Sequence, residues 1–340
     1  MKIGIKSDFL PWLLGSIAVV LGLIGCESDD GYASVGGNAM GTSYEVVADC
    51  PVDIAEVIGR ELEFINQQMS TYREDSLISL FNKSSTGVWF SVSDDFFQVL
   101  EFGLRLSENS EGSFDVTAKP LINLWGFGSV KPTGVVPDAL TVEEILANHV
   151  GHQFLETRNP PAVKKNRQVS LDLSAIAKGY GIDRIAESLI SRGCSDFLIE
   201  LGGEIRTHGL NKFGKRWRIA IENPSSISTS PTAVILNLSG LAVATSGHHR
   251  NFIELDGERF SHLIDARTGF PVANSFLSVT VVSDTAMSAD GYATVIAILG
   301  EEAGFDFADK INLAVFAILE GENGVQYRYN DNMLPYLDIQ

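Results

Sequence analysis

The chain has 340 residues, 45% of them hydrophobic and 20% charged, enough for one large or two small globular units. Its formal charge of −18 argues against nucleic-acid binding, which needs a basic patch, but not against a small anion held by a local lysine, backbone amides or a metal. Long low-complexity tracts and solenoid-period repeats are absent.

Lys2 and Lys6 give a positive start, and an apolar run from Phe9 to Gly25 follows, broken by Pro11. It ends in Leu23-Ile24-Gly25-Cys26, and polar residues come next. That pattern suits an export signal over residues 1–25 rather than a spanning helix. The L-x-G-C ending resembles a bacterial lipobox, which makes Cys26 the lipid-carrying first residue of the mature chain; a signal anchor with an incidental cysteine is the plainer alternative. Residues 26–38, polar and glycine-rich, are expected to be a tether, and 39–340 the folded domain, with room for two subdomains. Of the other cysteines, Cys50 and Cys194, nothing in the sequence shows proximity, so two separate thiols are expected. No CxxC or His/Cys cluster suggests zinc or iron–sulfur chemistry.

Met40-Gly41-Thr42-Ser43-Tyr44 opens the folded part and leads into a strand ending near Val47. Helical spacing of Ile54, Val57, Ile58, Leu62, Ile65 and Met69 predicts an amphipathic helix from Ile54 to Met69. A polar turn, Ser70–Ser76, precedes a short helix, Leu77 to Asn82; another helix covers about Asp94 to Glu108, with Gly112 marking its end. Next come Phe114-Asp115-Val116-Thr117-Ala118-Lys119-Pro120-Leu121 and Leu124-Trp125-Gly126-Phe127-Gly128. Two aromatics among glycines can stack on a ring system, although plain packing is the commoner role. Lys131 to Val136 reads as loop and Thr141 to His149 as a short helix.

The stretch Leu171 to Ile205 reads as strand, turn, helix, strand. A strand is expected from Val169 to Leu173, with Ser174 as helix cap, apolar residues at helical spacing from Ile176, Gly193 past the helix end, and a strand from Phe197 to Leu201 before Gly202-Gly203. Asp172 and Lys178 then stand at a strand-to-helix turn, where a helix N-terminus favours anions. The second half is strand-rich: Arg216–Glu222, Ala233–Ser239, Ala242–Ser246, Asn251–Leu255, Arg259–Ile264 and Leu277–Val282, joined by turn dipeptides. Helices are predicted over Asp284–Leu299 and Glu301–Ala308, with two last strands after them. Hairpins without regular βαβ alternation indicate an α+β fold, antiparallel sheets with helices packed on them.

Three clusters can carry chemistry. Asp172, Ser174 and Lys178 form the first. In Ser261-His262-Leu263-Ile264-Asp265, read as a strand, His262 and Ile264 share a face. In Ser288-Ala289-Asp290-Gly291-Tyr292-Ala293-Thr294, Asp290 and Thr294 share a helical face and offer hard oxygen ligands suited to Mg²⁺; a capping or solvated pair is the bland alternative. His248 and His249 read as turn residues. Serine-hydrolase, P-loop and dinucleotide-fold fingerprints are absent.

In order, M-G-T-S-Y, M-S-T-Y-R-x-D-S, F-D-V-T-x-x-P-L-x-x-L-W-G-F-G, L-D-L-S-x-I-A-K-G-Y, L-I-E-L-G-G-E-I, A-T-S-G, S-H-L-I-D-x-x-T-G-x-P and S-A-D-x-x-A-T resemble the ApbE family of bacterial FAD:protein FMN transferases, over about Met40 to Gly300. The resemblance implies an antiparallel T-fold-like architecture and a reaction. FAD is bound with Mg²⁺, its diphosphate is split, FMN passes to a threonine or serine hydroxyl of a partner, and AMP leaves. Partners in the family are flavin-carrying subunits of membrane redox complexes, and many members are exported lipoproteins. That implies a lipid anchor at Cys26 and a place on the periplasmic face of a membrane.

Residue by residue, the resemblance puts Met40, Tyr72, Trp125, Gly126, Phe127, Asp172, Lys178 and Ile264 on FAD. It gives the metal the carbonyl of Ala175 with Asp290 and Thr294, and makes His262 the general base. Some members carry a hydroxyl at Ala175, an acid at Lys178 and a carboxylate at Ala293, so here the metal has fewer side-chain ligands. An FAD pyrophosphatase, with water as acceptor, and a non-catalytic FAD-binding lipoprotein are the alternatives.

Overall fold

The computed structural model describes residues 31–130, 134–223, 231–247, 252–321 and 324–338. The export signal, Cys26 and the pair His248 and His249 lie outside them.

The predicted first helix forms as Ile54–Met69, started by Asp53, whose carboxylate accepts from the Ala55 amide at 2.9 Å. Its apolar stripe (Ile54, Val57, Ile58, Leu62, Ile65, Met69) is buried. Ser76 and Ser93 cap Leu77–Lys83 and Asp94–Asn109 in the same way. The central helix, Ser174–Ile190, is set differently: Ser174 lies inside it, and Asp172 accepts from the Ser174 amide at 2.9 Å. The expected strand before it does not form a ladder and makes a single bridge, Ser170 to Ala118.

Eight antiparallel strands make the main sheet, in the order Tyr32–Ala39, Thr42–Asp49, Asp196–Leu201, Glu204–His208, Ala242–Ser246, Phe276–Ser283, Ala314–Gly321, Gly324–Tyr329. Both halves of the chain thus contribute to one sheet. Period-2 patterning decides which layer each side chain joins. Val315, Ala317 and Leu319 join the core under the helices, whereas Ala314, Phe316 and Ile318 face the hairpin of Trp217–Glu222 and Thr232–Leu238. A third cluster around Leu121, Trp125, Val142 and Ile264 closes one side. The result is the expected α+β arrangement of helices, sheet and covering hairpin.

Two expectations are corrected. The tether does not reach residue 38, because Tyr32–Ala39 pairs along its whole length with Thr42–Asp49. Its glycines have a packing reason: Gly37 lies opposite Tyr44, and a Cβ there would sit 2.7 Å from the Tyr44 hydroxyl. Cys50 and Cys194 form a disulfide. Strand pairing brings them together, since Asp49 pairs with Asp196 where both strands reach the sheet end. The bond closes a loop with a sequence separation of 144, for which loop entropy gives a stabilisation of roughly 5 kcal/mol. Thermal unfolding with and without dithiothreitol is therefore expected to show a clearly lower midpoint for the reduced protein. An unchanged midpoint would mean the bond constrains nothing.

Candidate active site

The strand Glu204–His208, the central helix and the helix Ala286–Leu299 meet around a cavity of about 1170 Å³. Two devices fix the second helix. Asp183, buried and ion-paired with Arg206, accepts from the amides of Ala286 and Met287 at 2.8 and 2.9 Å, capping that helix from outside. Gly179 lets the central helix approach closely: a Cβ there would overlap the Ala286 carbonyl and come within 2.7 Å of the Met287 Cα. With the helix so set, Asp290 and Thr294, one turn apart, both face the cavity.

Around them lies a small charge network. The Lys178 ammonium is 2.6 Å from Glu204 Oε1 and 3.7 Å from Asp290 Oδ1. Asp290 Oδ2 accepts the Gly179 amide at 3.2 Å, and the Thr294 and Ser246 hydroxyls are 3.3 Å apart. Glu204 Oε2 is buried with no hydrogen-bond partner among the described residues. Burial works against the Lys178 charge, but the two carboxylates outweigh it and raise its pKa. Burial and the nearby Glu204 push Asp290 up to about 7 against the pull of Lys178. Two buried carboxylates thus share one ammonium, and the site is short of positive charge.

That shortage, the unpartnered Glu204 oxygen and an all-oxygen donor set of Asp290, Thr294 and the Ala175 carbonyl fit a hard divalent cation such as Mg²⁺. The Gly179 amide, four residues on from Ala175, also donates to Asp290, which leaves the Ala175 carbonyl acceptor capacity. Among the described residues no three His, Cys, Asp or Glu side chains converge, as a zinc centre of those ligands would require.

Met40, Tyr72, Gly126, Phe127, Asp172, Ala175, Lys178, His262, Ile264, Asp290 and Thr294 all line this one cavity. Met40 takes a left-handed backbone (φ 51°) at the first position of the two-residue hairpin turn, where glycine or asparagine is usual. The turn projects it into the cavity near Gly181. Tyr72 stands at the rim, 71% exposed.

Trp125 is the exception. It is fully buried in the third cluster, its indole N–H donates to the Gly269 carbonyl at 2.9 Å, and it backs the wall instead of lining it. His262 also departs from the sequence pattern. The strand Glu258–Ser261 stops before it, and its ring lies against Phe127 at 6.3 Å between centroids. Glu204, Ser246 and the Gly202–Gly203 turn are among the cavity residues that side-chain spacing did not single out, although all three stand in the ordered motifs.

Asp115 shows what the F-D-V-T motif does. Its carboxylate accepts from the Thr117 amide and hydroxyl (2.8 and 2.5 Å) and from the His152 amide and Nδ1 (2.9 and 2.8 Å), pinning a wall segment to a distant turn. The hydrogen bond to Asp115 raises the His152 pKa, with burial opposing. A raised imidazole pKa contributes stability that is complete below about 6.5 and is lost as pH rises through the folded-state value. His152→Gln is therefore expected to lower the thermal midpoint more at pH 5.5 than at pH 9; an equal loss at both would rule out the charged pair.

A model of the ApbE family matches residues 40–318. The FAD:protein FMN transferase of Vibrio cholerae is 39% identical over 335 residues, covering 96% of this chain and 98% of that protein; its namesake from Haemophilus influenzae is 36% identical, over 91% and 92%. Among solved structures, the flavin transferase ApbE from Vibrio cholerae superposes with a TM-score of 0.83 at 38% identity, over 90% of this chain and all of that one. The apo flavinyl transferase ApbE of Pseudomonas stutzeri gives 0.82 at 31% identity, over 91% and 98%.

Proposed function

The chain belongs to the ApbE family of flavin-transferring enzymes, and from that premise we propose that it transfers FMN from FAD to a threonine or serine hydroxyl of a partner protein, releasing AMP. One observation carries the reading: ten FAD, metal and base residues nominated by the sequence, together with Ala175, line a single cavity whose floor is short of positive charge.

The dinucleotide occupies the cavity between the Met40 turn, the Gly126–Phe127 wall and Tyr72, with Asp172 and Lys178 toward its polar parts. Lys178 offers an ammonium to the diphosphate without leaving Glu204. Asp290, Thr294 and the Ala175 carbonyl hold the cation, which when bound neutralises the diphosphate and the departing AMP. His262 takes the proton of the acceptor hydroxyl as its oxygen bonds to the FMN phosphorus. The bond from that phosphorus to the AMP oxygen breaks, and AMP leaves with the electron pair. Phe127 packs on the His262 ring and limits its swing.

Incubation with FAD, Mg²⁺ and a candidate acceptor domain tests this, following AMP release and acceptor mass. An FMN adduct that requires both acceptor and Mg²⁺ is the expected result. Equal AMP and FMN without acceptor would make the protein a pyrophosphatase, and bound FAD with no product a carrier. The partner in this reading is a flavin-carrying subunit of a membrane redox complex. The enzyme is held at the periplasmic face by lipid on Cys26, a reading supported by the L-x-G-C ending and by a disulfide suited to an oxidising compartment.

A further inference from the structure

The turn between Glu204–His208 and Trp217–Glu222 breaks the charge pattern of the chain. From Ile205 to Ile221 there are five Lys or Arg and no Asp or Glu, in a protein of net charge −18. Lys212, Lys215 and Arg216 are exposed, and between them Phe213 is 74% exposed, with Leu210 beside it at 42%.

The display is rigid. Asn211 Oδ1 accepts the amides of Phe213 and Lys215 at 3.0 and 3.2 Å, and Asn211 Nδ2 donates to the Arg216 carbonyl at 3.0 Å. The base of the turn is tied to Asp196 through the Leu210 amide. The turn holds an exposed phenyl ring between cations, and the Lys212 ammonium lies 5.6 Å from the centre of that ring.

Its position suggests the occupant. The Tyr32 hydroxyl donates to the Leu210 carbonyl at 3.0 Å, and the Tyr32 ring lies edge-on to Trp217. Tyr32 starts the first strand, six residues after Cys26, a span of at most about 20 Å. On the anchor reading, on which this inference rests, the strand end beside the turn is held within about 20 Å of the bilayer. The strand Tyr32–Ala39 then runs roughly 25 Å from that end to Met40 at the cavity.

We propose that the turn Leu210–Arg216 is a membrane-docking surface for anionic phospholipid, with Phe213 entering the headgroup boundary and Lys215 and Arg216 meeting lipid phosphates. On a probe with a single acyl chain, whose own binding is marginal and reversible, a basic–aromatic second contact is measurable. Docking also fixes which way the cavity faces above the membrane.

The test uses the mature chain from residue 26, in which the disulfide leaves Cys26 as the remaining cysteine. One acyl chain is coupled there through a maleimide, and partition is measured by flotation on phosphatidylcholine vesicles with and without phosphatidylglycerol. The expected result is tighter binding to the anionic vesicles, reduced at least about tenfold in Phe213→Ser/Lys215→Glu/Arg216→Glu, with FAD turnover unchanged. Equal partition of the two proteins would overturn the proposal. So would unchanged partition with lost transfer to the acceptor, which would assign the turn to a protein partner. The mass of Cys26 from cell membranes tests the anchor separately: an unmodified Cys26 removes that reading, while the vesicle comparison still judges the turn.

Discussion

Replacing Asp290 with alanine is expected to lower kcat/KM for FMN transfer by about a thousandfold or more, while the protein stays folded. Asp290 is the one carboxylate on the helix face that also carries Thr294, and it faces both the cavity and Lys178. Without it the cation keeps one hydroxyl and one carbonyl, too little to compete with water. Folding has no need of its charge. Lys178 retains Glu204 at 2.6 Å, and an ammonium facing one carboxylate is better balanced than one facing two.

Asp290→Asn sharpens the expectation. It can still accept the Gly179 amide, so transfer should fail while the metal-free protein becomes at least as stable as wild type. The sign follows from the carboxyl pKa, raised by burial and by Glu204 to about 7. Above the unfolded value the folded state holds more protons, so wild-type stability falls as pH rises from about 4 to 7. The asparagine escapes that fall, and its thermal midpoint in EDTA should pull ahead of wild type as the pH goes from 5 to 8. Undiminished turnover of Asp290→Ala at saturating Mg²⁺ would remove this carboxylate from the metal site.

Much of the architecture was legible because it rests on local periodicity. Ile54–Met69, with one clear apolar face, emerged with its predicted bounds, and so did Ala242–Ser246, buried on both faces over its first three residues. What the sequence hid depends on contacts between distant segments. Gly37 read as linker because the ring that makes use of it, Tyr44, lies across a strand pair. The Cys50–Cys194 bond was invisible for the same reason. The resemblance put Trp125 on FAD, and its packing role emerges only where its indole N–H meets the Gly269 carbonyl, 144 positions away. Most of the candidate site was legible through the order of its motifs, not through single residues. Glu204 stood in one of those motifs without a role, which it acquires only when strand and helix set it against Lys178.

The second large effect should come from a single methyl group. Gly179→Ala would place a Cβ inside the contact between the central helix and Ala286–Leu299, overlapping the Ala286 carbonyl and crowding the Met287 Cα. Helix interiors ordinarily favour alanine over glycine by up to about 1 kcal/mol. Here the obstacle is backbone, which cannot rotate away as a side-chain tip could, and the two helices must separate or slide. Overpacking of this kind costs about 3 kcal/mol, more than the propensity gain. Movement is resisted at its far side by Asp183, which holds the amides of Ala286 and Met287 and is itself held by Arg206. Strain should therefore appear as a displaced Asp290, whose Gly179 hydrogen bond crosses the same contact. Gly179→Ala is expected to lower the thermal midpoint by several degrees and to weaken Mg²⁺-dependent FAD binding, whereas alanine at Gly59, where an added Cβ meets nothing within 4 Å, should be neutral or slightly stabilising. Equal midpoints for the two variants would show that the helices can part freely, and that their close approach does not set the geometry of the site.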